Sequence, residues 1–112
     1  MKILYKSNPD VTKRELYRMT QDADIKSMKD VEADSVIDVH QYIYYEDETS
    51  RGEIAHILSI MSESGEVWST TSKTFQRSFD TIAELMEDES FTIKKKEGIS
   101  KAGRSYVDCS LV

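Results

Sequence analysis

A mostly-β fold with one inserted helix is predicted by three features of the chain. Between residues 36 and 71 lie three segments rich in β-branched and aromatic residues, separated by polar turns. A long amphipathic segment follows at 73–87. Two further strand-like segments close the chain, at about 91–96 and 105–112. Three strands, a helix and two strands is the element order of the five-stranded oligonucleotide-binding (OB) barrel, whose helix lies between strands three and four. A generic α+β sheet accommodates the same elements.

Residues 1–35 read as an N-terminal helical extension and residues 36–112 as the barrel, the whole forming one domain. In the extension, Thr12-Lys13-Arg14-Glu15 fits a capping box, and Val11 with Leu16 has the spacing of a hydrophobic staple. This helix runs to about Gln21 and has a thin apolar face of Leu16, Tyr17 and Met19. Ile25, Met28 and Val31 recur every three residues, which fits a further short turn.

In the first barrel segment, Ile37, Val39, Ile43 and Tyr45 are expected on one face, with Asp38, His40, Tyr42 and Tyr44 on the other. The second strand is expected at Glu53–Met61 and the third at Glu66–Thr71. In the helix that follows, Phe75, Phe79, Ile82, Ala83 and Met86 form one stripe. It ends in Glu87-Asp88-Glu89, acids that oppose the helix dipole and should fray that end. Gly98 and Gly103 bound a hairpin loop between the last two strands.

Composition narrows the function. A chain of 112 residues with 38% apolar content suits one domain with a modest core. One cysteine, Cys109, supports neither a disulfide framework nor a zinc site, and no metal or other cofactor is expected. The start Met1-Lys2-Ile3-Leu4 leads into no long apolar run, so no membrane association and a cytoplasmic location are expected. His40 and His56 lie in strand segments with no nucleophile motif beside them, and an enzyme is not expected. Glu46-Asp47-Glu48 lacks the alternation of a calcium loop and reads as a solvated turn.

The net charge is −6, which argues against a duplex-DNA binder that works by overall charge. The closing hairpin departs from that average. Lys94, Lys95, Lys96, Lys101 and Arg104 stand with one acid, Glu97, in eleven residues, a local balance of +4. In an OB barrel the loop between strands four and five commonly clamps oligonucleotides, and positive charge there would follow a phosphate backbone. The same lysines equally suit an edge hairpin that must not pair with other chains. Tyr42, Tyr44, Trp68 and Tyr106 are the rings on which bases would stack, unless they fill the barrel instead. The N-terminal helix, with Lys13, Arg14 and Arg18, is the second basic surface.

Three segments carry a resemblance: Asn8-Pro9-Asp10-Val11-Thr12-Lys13-Arg14-Glu15-Leu16-Tyr17, Ser72-Lys73-Thr74-Phe75-Gln76-Arg77-Ser78-Phe79 and Ser100-Lys101-Ala102-Gly103-Arg104. Together they resemble segments of small single-stranded DNA-binding proteins of phages that infect Gram-positive bacteria. The resemblance implies an OB core, sequence-independent binding of single-stranded DNA in phage replication or recombination, and residence in the host cytoplasm. Replication or recombination proteins and further copies of the chain are the protein partners it is compatible with. Bacterial relatives of that activity end in a flexible acidic tail, whereas Cys109-Ser110-Leu111-Val112 reads as strand, so recruitment through a tail is not expected. The rival reading is a small acidic phage protein that inhibits a host nucleic-acid enzyme by protein contact or DNA mimicry. Its support is the net charge of −6 and the acidic runs at 46–48 and 87–89.

Overall fold

The strand-forming run at 36–48 divides between two sheets, and this division organises the molecule. The computed structural model describes residues 1–87 and 89–112. In chain order the elements are β1 (Lys2–Lys6), α1 (Lys13–Thr20), β2 (Lys26–Ser27), a 3-10 turn (Met28–Asp30), β3 (Val36–Val39) and β4 (Gln41–Glu48). They continue with β5 (Ile54–Met61), β6 (Val67–Thr70), α2 (Lys73–Met86), β7 (Phe91–Ile99) and β8 (Ser105–Leu111). Among the described residues, one sheet has five strands in the order β1-β4-β5-β6-β2, and the other has three in the order β3-β7-β8. The mostly-β expectation holds, and α2 falls between the meander and the closing hairpin. The sheets are not hydrogen-bonded into a closed barrel. The outer neighbour of β6 is β2, in parallel register, and β8 pairs with β7 alone.

The capping box forms as its residues dictate. The Thr12 hydroxyl accepts from the Glu15 amide at 3.1 Å, and the Glu15 carboxylate accepts from the Thr12 amide at 3.0 Å. The extension is not helix alone, however. The segment Lys2–Lys6 pairs antiparallel with β4, adding an edge strand to the larger sheet. The turn expected near Met28 forms, and Met28 is fully buried.

Two cores lie on the two faces of the larger sheet. The first gathers Phe75, Phe79 and Ile82 of α2 with Leu58, Ile60, Ile37, Val39, Tyr44, Ile93 and Cys109. The second lies under α1 and gathers Met19 with Ile43, Tyr45, Met61 and Val67. Its presence means that α1 is packed against the sheet face opposite α2. Asp88, in the acidic run expected to fray α2, lies outside the described residues.

The side-chain alternation slips by one residue where β3 passes into β4. Ile37 and Val39 face the first core, but so do Tyr42 and Tyr44, while Ile43 and Tyr45 face the second. At the junction the His40 amide donates to the Met61 carbonyl at 3.0 Å as the chain leaves β7 and joins β5. A one-residue slip exchanges the faces of every later side chain. The expected outward placement of Tyr42 and Tyr44 is therefore corrected. No helix among the described residues is long and apolar enough to cross a membrane.

Candidate nucleic-acid interface

The β7–β8 hairpin outruns the sheet that anchors it. Val36 pairs with Lys94, and Ser35 and Asp34 hold the Lys95 backbone; beyond Lys95, β7 continues with β8, the two staying paired from Ile93↔Leu111 to Ile99↔Ser105. The loop closes with Ser100 N–H donating to Arg104 O at 2.8 Å and Gly103 N–H donating to Ser100 O at 2.9 Å. Gly103 has φ +80°, a left-handed conformation that favours glycine. Gly98 gives room to the ring of Tyr106. The Tyr106 ring lies across it, and a Cβ there would stand 2.4 Å from the Tyr106 hydroxyl.

The five hairpin cations have different fates. Lys101 and Arg104 are exposed and have no ion-pair partner among the described residues. Lys94 is half-buried. Lys96 is exposed, with its ammonium 2.9 Å from the Asp34 carboxylate. Lys95 shares the inward parity of Ile93 and is 0% exposed. Its ammonium donates to Lys29 O at 3.1 Å, to Val31 O, and to Glu97 Oε1 at 2.8 Å. Its expected role as a phosphate contact is corrected: alternation turns the middle lysine of three inward, where two backbone carbonyls and the Glu97 carboxylate hold its ammonium.

The rings divide as well. Tyr106, 40% exposed, borders an open groove of about 780 Å3. Lys29, Ser72, Gly98, Ile99, Ser105 and Val107 line the rest of its walls, with Glu97 beside them. Trp68 is half-buried in a different depression, which also holds Asp38, Glu63 and Glu66. The Lys26 ammonium sits 5.6 Å from the Trp68 ring centroid and pairs with Glu66. Tyr44 is buried, its hydroxyl donating to Asp80 Oδ1. Tyr42 is half-buried, its ring edge-on to Phe79 at 4.9 Å. Phe79 in turn lies 5.7 Å from Phe91, at the start of β7. The strand has nine residues, so it carries the loop about 26 Å from Phe91. The structure thus leaves Lys101 and Arg104 exposed on the loop that precedes Tyr106, though neither lines the Tyr106 groove, and Tyr42, Tyr44 and Trp68 lie in other depressions. Lys29, Gly98 and Ile99 join the hairpin groove. Lys29 comes from a distant segment, and no local pattern marks it.

Several ionisations are displaced. Burial, then the neighbouring Tyr5 and Asp80, push the Tyr42 phenol up to about 12. Burial first, then the bond to Asp80, raises Tyr44, and burial raises Tyr45. Burial also pushes the Cys109 thiol up to about 12, so it is a poor nucleophile. The folded state keeps these phenols protonated to higher pH than the unfolded chain does. The contribution of Tyr42 to stability is complete below the ordinary value of 10.0 and is lost as pH rises towards about 12, and those of Tyr44 and Tyr45 are likewise lost only above 10.0. Alkaline titration followed at 295 nm should therefore show a late group of phenols that ionise only as the circular dichroism signal collapses. Ionisation of all six tyrosines near their ordinary value, in a chain still folded, would refute this placement.

His56 is held structurally: its Nδ1 lies 2.8 Å from Gln76 Oε1, and Gln76 Nε2 donates to the carbonyls of His56 and Thr70, each at 3.0 Å. Among the described residues, no three His, Cys, Asp or Glu side chains are grouped so as to hold a metal ion. In comparisons with known proteins, no family model, no curated protein and no solved structure matches the chain.

Proposed function

We propose that the chain is an OB-type barrel open along one seam, and that it binds single-stranded DNA without sequence preference along the β7–β8 hairpin. The strand pairings support the fold assignment. β3 and β4 act as one bent first strand shared by both sheets, β5 and β6 complete a meander, α2 follows, and β7 returns to β3 before β8. The parallel pairing that would close such a barrel, between β6 and β8, is replaced on β6 by the short strand β2.

The observation that carries the binding proposal is the projecting loop that bears exposed Lys101 and Arg104 and runs directly into exposed Tyr106. Cations there meet phosphates, and an exposed ring offers a face to a base. The protein acts by coating or holding DNA, without catalysis. Its resemblance to phage proteins puts that activity in phage DNA replication or recombination, in the host cytoplasm.

Binding to fluorescein-labelled oligo(dT) across a salt series tests this reading. Lys101→Glu/Arg104→Glu should weaken binding on the order of tenfold or more, and the slope of log K against log salt should flatten by about 0.7 for each contact removed. Tyr106→Ala should weaken binding at every salt concentration, by about 1–3 kcal/mol per base lost, and leave the slope nearly intact. A double variant that stays folded and binds like the parent removes the hairpin from the site. A parent that binds no oligo(dT) at low salt overturns the reading and favours an acidic inhibitor of a nucleic-acid enzyme.

A further inference from the structure

The tyrosines that the hairpin leaves behind line a second surface of opposite character. β1 is the outer strand of the five-stranded sheet. On it, Tyr5 is 51% exposed and stacks on Tyr42, with ring centroids 5.7 Å apart and planes 28° from parallel. These two rings, with Tyr44 beneath, face Asp80 and Glu84 of α2 and Glu87 at its C-cap across an open groove of about 530 Å3. A smaller depression of about 150 Å3 continues from Tyr5 and Tyr42 past Asn8 and His40 to Glu87 and Glu89.

The charge of this groove is uncompensated. Asp80 accepts the Tyr44 hydroxyl, but none of these carboxylates pairs with a lysine or arginine among the described residues. The last turn of α2 carries no basic residue, although the carbonyl end of a helix favours cations. A polyanion is repelled here. An aromatic floor with carboxylates along one wall suits a cation that is also flat, since a guanidinium stacks on a ring and presents its N–H groups to carboxylates in its own plane.

We propose that the Tyr5–Tyr42 groove is a docking surface for an arginine-bearing segment of a partner protein. One arginine lies over the paired rings, with its guanidinium directed at Asp80, Glu84 and Glu87. Charge complementarity selects this occupant over nucleic acid, and the stacked rings select arginine over lysine. The surface is separate from the basic hairpin, so a protein and a DNA strand fit the chain at once.

Fluorescence anisotropy with labelled hexa-arginine and hexa-lysine peptides tests the proposal on the full chain. The parent should bind hexa-arginine more tightly than hexa-lysine. Glu84→Gln/Glu87→Gln, two substitutions at exposed positions, one on α2 and one at its C-cap, should weaken hexa-arginine binding on the order of tenfold, which corresponds to about 1.4 kcal/mol. Tyr5→Ala should abolish the preference for arginine over lysine. Both variants should keep the melting temperature and the oligo(dT) affinity of the parent, so this proposal and the DNA-binding one fail separately. No binding by the parent overturns the proposal. So does an equal loss in a Glu46→Gln/Glu48→Gln control, because binding would then follow net charge alone. Concentration-dependent self-association that disappears in Glu84→Gln/Glu87→Gln also overturns it, because the occupant would then be a second copy.

Discussion

Phe79→Ala is expected to lower the stability of the fold by about 3–5 kcal/mol, the range for truncating a core phenylalanine. The size follows from where the ring sits. Phe79 is 0% exposed, and it reaches Tyr42 of the five-stranded sheet at 4.9 Å and Phe91 of the three-stranded sheet at 5.7 Å. It therefore ties α2 to both sheets at once. No strand pairing joins β6 to β8, so the packing of α2 against the sheets does much of the work a closed ladder would do. A cavity at Phe79 cannot fill by a small local shift, because its walls belong to three different elements. In thermal unfolding the midpoint should fall by about 10–20 °C. Leu85→Ala is the matched control: Leu85 lies on the same helix at 76% exposure, and its loss should change stability by about 0.5 kcal/mol or less. Equal midpoints for the two variants would show that the stripe of α2 does not face the core.

The parts of the fold that local chemistry decides are legible in the sequence. Thr12 and Glu15 announce the start of α1 because a capping box needs only those two side chains and their own amides. Phe75, Phe79 and Ile82 announce the buried face of α2 because a helix repeats at a fixed angle. Gly103 announces the hairpin loop because few other residues tolerate its backbone angle. What the sequence hides is set by distant neighbours. Tyr42 and Tyr44 turn inward because the strand changes sheets at His40, and no residue type marks that slip. Lys2–Lys6 becomes a strand because the edge of β4 is free to receive it. The basic hairpin was legible as a cluster, while the inward turn of Lys95 rests on carbonyls more than sixty residues earlier in the chain.

Removing that lysine is the second change with a large expected effect. Lys95 holds an ammonium with three donors, and its three partners are Lys29 O, Val31 O and the Glu97 carboxylate. Its amide and carbonyl are also engaged, donating to Ser35 O at 2.9 Å and accepting from Asp34 N–H at 2.8 Å. One residue thus fastens the 29–35 segment to β7. Lys95→Ala leaves those acceptors without their donor and leaves a void where the alkyl stem packed. Breaking a fully buried pair costs about 3–5 kcal/mol, but Glu97 is half exposed, so the expected loss is about 2–4 kcal/mol. Lys95→Met restores the stem and not the donors, and should recover only part of the deficit. Hydrogen exchange should locate the damage, with protection falling at Asp34 and Lys95 before it falls in β5. The same geometry makes Lys95→Glu useless as a probe of DNA binding, since the new carboxylate would face Glu97 and two carbonyls and unfold the region. If Lys95→Ala instead keeps the parent's stability and loses oligo(dT) affinity with a flatter salt dependence, the ammonium points outward, and Lys94, Lys95 and Lys96 act together as a phosphate track.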